Sequence, residues 1–283
     1  GYKTKKEDRC PKCGEESLNY YGLGTEKLEA NIKLKFPNAR VLRMDQDTTR
    51  NKGAHEKIIE KFKNHEFDIL LGTQMISKGL DFPLVTLVGI INADSSLNIP
   101  NFRSSENTFS LLCQVAGRSG RSDKNGEVII QTFNPDNYVI NCVKENNYNK
   151  FYLYEMNFRK KLKYPPYFYL VSLKVIGTNY ETTIENSKKV KKYLDNNLSN
   201  EFIILGPTMA NVFKFNNEYR MQIIIKYKKE DNLLKVLREL DNIFIMNKDT
   251  RLEIDFEPLN IWLTKNKTYY KINVEIGGKY ERS

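Results

Sequence analysis

Between residues 24 and 147 the chain alternates short apolar runs with longer stretches of helical period, and no other feature constrains its fold as tightly. FDILLGT (67–73) and VTLVGIINAD (85–94) are continuous apolar runs, the pattern of strands covered on both faces in a parallel sheet. ARVLRMD (39–45) and GEVIIQTF (126–133) read as further strands. EKLEANIKLKF, closed by Pro37, and AHEKIIEKFKNHE (54–66) are predicted helical from the spacing of their apolar residues. SENTFSLLCQVAGR (105–118) reads as a helix opened by a capping-type serine, and DNYVINCVKEN as a closing helix. Strands that alternate with helices in this way imply a doubly wound α/β domain with a parallel sheet over 23–148.

The pattern changes near residue 150. NKFYLYEMNFRKKLKYPP reads as a basic, aromatic helix ended by Pro165 and Pro166. A strand (167–177), a helix (181–198), strands at 202–206 extending towards 215 and at 219–228, a helix (231–246) and a strand (250–257) follow. The order βαββαβ is that of ferredoxin-like α+β folds, so a second domain is expected at 149–262. Residues 1–22 are polar and carry one CxxC, a partial zinc-binding knuckle, while the tail at 263–283 fits neither domain.

Lys and Arg outnumber Asp and Glu by 45 to 35, a formal net charge of +10. That balance favours a polyanionic partner, nucleic acid before anionic membrane, although lysines spread along the whole chain also suit an ordinary solvated surface. There is no apolar run of about 18 residues, so no membrane span is expected. GYKTKKEDRC has neither an apolar signal region nor an initiator methionine, which suggests an internal start within a longer, cytoplasmic protein. Four cysteines without secretory features fit a reducing compartment.

Two stretches carry chemistry. In QVAGRSGR (114–121), helical spacing would put Gln114, Arg118 and Arg121 on one face. Guanidinium groups grip phosphate oxygens in bidentate fashion and stay charged at any working pH, so this face suits a nucleotide's terminal phosphate. A helix-interior glycine costs about 1 kcal/mol against alanine, so Gly117 and Gly120 imply close approach of a backbone or ligand. A solvated basic helix end is the alternative. The second stretch, GTQMISKGLDFP (72–83), follows a strand at its carboxyl end, where open α/β sheets bind ligands. Thr73 and Gln74 sit at the strand tip, Gly79 permits a tight bend, and Asp81 can accept from a ribose or orient an arginine. A plain strand-to-helix loop is the alternative here.

Together these stretches resemble motifs V and VI of superfamily 2 helicases. GTQMISKGLDFPLVTLVGIINAD followed by NFRSSENTFSLLCQVAGRSGR resembles, more narrowly, the PriA (primosomal protein N′) family of replication-restart DNA helicases. GLGTEKLEANIKLKFPNARVLRMDQDTT (22–49), just after CPKCG, resembles the start of that family's second motor lobe, and YPPY (164–167) and YRMQ (219–222) extend the likeness. Asn101 and Asn107 depart from it, standing where the family often has Asp and Arg.

The resemblance implies a RecA-like lobe 2 followed by the ferredoxin-like domain, in the C-terminal part of an ATP-dependent 3′→5′ helicase. It implies that Arg118 and Arg121 contact the ATP γ-phosphate with Gln114 beside them, and that Gly79 and Asp81 belong to the same ATP site. Thr73, Gln74 and Lys78 would meet the DNA backbone, with Asp81 coupling that contact to the nucleotide. GxxxxGK[ST] and a DExH-like acidic box are absent from these 283 residues, so this stretch is not expected to hydrolyse ATP alone. ATP with Mg2+ and a structural Zn2+ are implied for the intact protein. Branched or single-stranded DNA, single-strand-binding protein and primosome proteins are its implied partners, and a monomer is expected. A non-enzymatic, zinc-assisted nucleic-acid-binding module is the rival reading.

Cys10 and Cys13 supply two thiolates where structural zinc takes four ligands, half of a site completed in the family by CxxC pairs further upstream. Cys113 and Cys142 read better as buried small residues, and His55 and His65 as solvated. FYLYEMNFRKKLKYPPYFY (151–169) could stack on single-stranded DNA; alternatively its aromatics are core, with Arg159, Lys160 and Lys161 on a solvated face. Arg220 and Gln222 are candidate partner or DNA contacts.

Overall fold

The computed structural model describes residues 24–259 apart from 74, 75, 77–81, 83, 118–125, 231, 246 and 248. The knuckle expected at 1–22 and the tail at 263–283 lie outside the described residues. The chain forms two compact units that divide between Lys163 and Tyr164.

The first unit runs α1 (Thr25–Lys35), β1 (Val41–Met44), α2 (Ala54–Lys63), β2 (Ile69–Gly72), β3 (Leu87–Ile90), α3 (Asp94–Leu97), α4 (Ser104–Ala116), β4 (Glu127–Ile130), α5 (Tyr138–Lys144) and α6 (Tyr148–Lys161). Its strands pair in parallel, β1 with β2 and β3 with β4, so the α/β class read from the apolar runs holds. Among the described residues the four strands form two pairs rather than one continuous sheet. The run at 85–94 yields strand only over Leu87–Ile90, because Asn92 takes a left-handed φ of 56° and the chain turns into α3. The serine expected to cap α4, Ser105, is instead the second residue of the helix. Arg103 holds the cap position without a side-chain bond.

Helix α6 was expected to open the second domain, yet it packs in the first unit. Phe151 is buried with Phe109, Leu112, Val139 and Cys142, and its ring stacks on Phe109 at 4.1 Å. Asn147 starts α6 by accepting from the Lys150 amide, as Asn137 starts α5 by accepting from Val139.

The second unit is β5 (Tyr169–Gly177), α7 (Tyr180–Asn197), β6 (Ile203–Phe215), β7 (Glu218–Tyr227), α8 (Leu233–Ile245) and β8 (Thr250–Phe256). Every pairing is antiparallel and the strand order is β6-β7-β5-β8, the ferredoxin-like arrangement expected from βαββαβ. Val171, Leu173, Val175, Ile223 and Ile225 form one sheet face beneath Val190 and Leu194 of α7 and Val236, Leu237 and Leu240 of α8. Where β5 meets α7, Gly177 is required by space. A Cβ there would lie 2.6 Å from Thr183 Oγ1 and 2.9 Å from the Asp249 carbonyl.

The register of β1 on β2 is set where the strands begin. Arg40 stands just before β1 and Asp68 just before β2. The Arg40 amide and Nε donate to Asp68 Oδ2 at 2.8 and 3.0 Å, and its Nη2 donates to Oδ1 at 2.8 Å. The Arg40 carbonyl accepts from the Asp68 and Ile69 amides. The Arg40 hydrogen bonds hold the Asp68 carboxyl at about 2, against an ordinary 3.8. A depressed carboxyl contributes stability above its unfolded value and loses it as pH falls through the folded one, so this link weakens between about pH 4 and pH 2. Carbon-detected NMR titration of Asp68 should give a midpoint near 2, returning towards 3.8 in Arg40→Gln.

Candidate functional site

The carboxyl ends of the parallel strands are where an open α/β sheet offers a ligand site, and buried carboxylates hold them here. β1 and β2 end in register, Met44 opposite Gly72, so Asp45 and Thr73 leave the sheet at one level. Asp45 is 6% exposed. Its Oδ2 accepts from the Thr25 hydroxyl at 2.6 Å, and its Oδ1 from the amides of Asp47 and Thr48. Arg43 Nε lies 3.1 Å from Oδ2. The Thr25 hydroxyl above all, then Thr48 and Arg43, outweighs burial and holds this carboxyl below its ordinary range. Asp45 thereby ties the start of α1 to the end of β1. The family-like segment at 22–49 contains both partners.

Asp94 does the same for the second pair. It is 5% exposed, Oδ1 accepting from the Thr132 hydroxyl at 3.0 Å and Oδ2 from the Phe133 amide at 2.8 Å. The segments after β3 and β4 are thus pinned together. Neither aspartate was singled out from the sequence. The available signal was an acid directly after a strand with Thr or Ser close by, a common pattern for turns as well.

Among the expected DNA and ATP contacts, Thr73 is exposed just beyond β2, and its carbonyl accepts from the Ile76 amide at 3.1 Å. Gln74, Lys78, Gly79, Asp81, Arg118, Gly120 and Arg121 lie outside the described residues, as do Cys10 and Cys13. Gln114 is exposed on the last turn of α4. That helix ends at Ala116 with Gly117 as its C-cap, and the rest of the face expected from 114 to 121 lies outside the described residues. A Cβ on Gly117 would meet nothing nearer than the Cys113 carbonyl at 3.4 Å. Gly117 closes the helix at an ordinary φ of −70°. The close approach is instead at Gly72, where an added Cβ would lie 2.3 Å from the Met44 carbonyl and 2.5 Å from Ile76 Cδ1.

Other expectations are corrected by burial. Arg159 was placed on a solvated face but is 9% exposed and bonded to Glu155 and Glu106. Lys160 and Lys161 are exposed as expected. Gln222 is buried on β7 and its amide donates to Ser172 Oγ at 2.8 Å, so it braces the sheet instead of meeting a partner. Arg220 is partly accessible, its guanidinium 5.1 Å from the Phe215 ring centroid and 3.8 Å from Glu218. Tyr164 of YPPY is core to the second unit: Lys226 Nζ lies 3.5 Å from its ring centroid, and burial pushes its hydroxyl up to about 12. Cys113 and Cys142 belong to the aromatic core cluster of the first unit, where burial raises both thiols. Among the described residues no group of three or more His, Cys, Asp or Glu is placed to hold a metal ion, and no helix is long and apolar enough to cross a membrane.

Comparison with known proteins gives this geometry its context. Residues 18–123 match the helicase conserved C-terminal domain, and residues 160–259 match the primosomal protein N C-terminal domain. The replication restart protein PriA of Bacillus subtilis is 44% identical over 252 residues, covering 88% of this chain and 31% of that protein. This chain belongs to the PriA family. The PriA of Synechocystis is 40% identical over 89% of this chain and 30% of its own length, and that of Chlamydia muridarum is 38% identical over 88% and 33%. The chain thus spans about a third of the length of these PriA relatives. Among solved structures, the C-terminal domain of the DEAD-box protein Dbp5 covers 42% of this chain and 64% of its own, at 21% identity and a TM-score of 0.31, too slight a likeness to bear on the fold.

In PriA-family terms, the helicase C-terminal match runs from α1 through α4 and stops before β4, so α4 and the tip of β2 belong to the same domain. The tightest packing under that tip is Gly72. Gly72→Ala should lower the stability of the first unit by about 1–3 kcal/mol through overpacking against the β1 backbone. Chemical denaturation of the purified chain measures it; Gly89→Ala, where a Cβ would meet nothing within 4 Å, is the control expected to change little.

Proposed function

We propose that this chain is the C-terminal part of an ATP-driven 3′→5′ DNA helicase that recognises stalled or branched replication forks and restarts replication. One observation carries the reading: a helicase C-terminal domain and a primosomal protein N C-terminal domain follow one another in a single chain. The exposed Gln114 at the end of α4 and the exposed Thr73 beyond β2 support it, since groups that meet a nucleotide or DNA must be open to solvent.

Under this reading Gln114, Arg118 and Arg121 address the γ-phosphate of an ATP whose Mg2+ and phosphate cradle come from a first motor lobe. The arginines stabilise charge that develops as the phosphoryl group leaves. Gly79 and Asp81 line the same site, and Thr73, Gln74 and Lys78 track the DNA backbone. Cys10 and Cys13 give half of a structural zinc site. Cys113 and Cys142 are assigned to packing instead, since both sit in or against the apolar cluster of the first unit. Arg220 is a candidate contact for DNA or single-strand-binding protein. The protein works in the cytoplasm, as a monomer, with primosome proteins as partners, and this stretch alone does not turn over ATP.

The test is fork-DNA-stimulated ATP hydrolysis by the full-length protein. Arg118→Ala and Arg121→Ala should each lower kcat by about 10³-fold. Turnover near the wild-type rate in both variants would overturn the motor reading. Cys10→Ser should release zinc measured by chromophoric chelator, with retention of the full metal content refuting the zinc assignment.

A further inference from the structure

We propose that Arg159 is a positioning residue for the nucleotide site, fixing α4, and with it Gln114, from the neighbouring helix α6. The inference rests on the ATPase reading above. Arg159 stands on the last turn of α6, directly before the second unit begins. Its Nε donates to Glu155 Oε1 at 2.8 Å, and its Nη2 donates to Glu106 Oε2 at 2.7 Å. Its guanidinium also lies 5.3 Å from the ring centroid of Phe102. Glu106 is in the first turn of α4. Arg103 reaches the same carboxylate through Nε and Nη2, each at 3.4 Å, and Tyr138 of α5 donates to Glu155 Oε2 at 2.8 Å. Burial alone would raise Glu106. The bonds from Arg159 and Arg103 outweigh it and hold this carboxyl below its ordinary range.

The helix is a stiff rod, with Glu106 near one end and Gln114 near the other, about 12 Å apart at the α-helical rise. Whatever slides or turns its first turn moves Gln114 too. Among the described residues, α4 meets α6 through the Phe109 ring, which faces Phe151 and Tyr148, and through the Glu106–Arg159 pair. The Phe109–Phe151 stack, with rings only 7° from parallel, supplies burial but tolerates sliding, because offset stacks are broad minima. The guanidinium fork is directional and does not. The rings therefore attach α4, and Arg159 sets its position along α6. Lysine could keep the charge but not the two fixed bonds.

The experiment uses the full-length protein and follows kcat and KM for ATP separately in DNA-stimulated hydrolysis. Glu106→Ala and Arg159→Lys should each lower kcat by about tenfold and leave KM within about twofold, as expected for a misplaced group that acts in the transition state. The double variant should be no slower than either single one, since both break the same link. Glu106→Ala is the mild variant: the Glu106 side chain is 41% exposed and Arg159 keeps Glu155, so no buried charge is stranded. Should Arg159→Lys fail to fold, Glu106→Ala alone decides. Phe109→Leu is the stability control, expected to lower the melting temperature without a selective loss of kcat. Wild-type kcat in Glu106→Ala, alongside an inactive Arg118→Ala, would overturn the positioning role and leave the ATPase reading standing. A kcat loss in Phe109→Leu equal to that in Glu106→Ala would likewise reduce Arg159 to a structural part. An active Arg118→Ala would instead remove the ATPase reading itself.

Discussion

Parallel strands share no hairpin, so no local turn can set their register or hold their ends together. In the first unit, side chains do this work. Arg40 and Asp68 lock the starting points of β1 and β2 through a bidentate pair and through the Arg40 carbonyl, which accepts from the Asp68 and Ile69 amides. Asp45 secures the far end against α1, and Asp94 joins the segments after β3 and β4. Four-residue strands contribute few ladder bonds of their own, which is why each pair needs polar fastening. The level at which Thr73 emerges depends on those fastenings.

The same logic, applied to helices, shapes the surroundings of Gln114. Buried ion pairs are costly to assemble and rarely stabilise as much as apolar replacements would; their directional bonds fix geometry. Arg159, Glu106, Glu155 and Arg103 balance to zero formal charge, and Tyr138 takes one of the remaining carboxylate oxygens. Around them Phe109, Phe151 and Tyr138 supply the apolar area. The phenylalanines thus supply packing and the charged groups supply orientation, with Tyr138 taking part in both.

The second unit needs fewer such devices. Its strands are antiparallel and longer, β6 running from Ile203 to Phe215 and β7 from Glu218 to Tyr227, joined by a hairpin whose Asn216 and Asn217 both take left-handed φ. One face of the sheet is a conventional apolar core under α7 and α8. The other carries Ser172, Gln222 and Lys226, all buried, which removes Gln222 from any outward role and leaves Tyr219 and Arg220 as the partly accessible members of YRMQ.

Local pattern was enough to read the α/β then βαββαβ order, because continuous apolar runs, helical spacing and helix-ending prolines are properties of neighbouring residues. The likeness to PriA was legible for the same reason, since it rests on residue types at short spacing. The tertiary structure alone decided which unit α6 joins, since Phe151 and Arg159 find partners on α4, far away in sequence. It alone showed Arg159 buried, Gln222 turned inward and the strand-end aspartates acting as fasteners. Those outcomes depend on which charged or polar side chain meets an opposite group across the fold, and burial of a polar atom is settled by that distant partner rather than by its own neighbours.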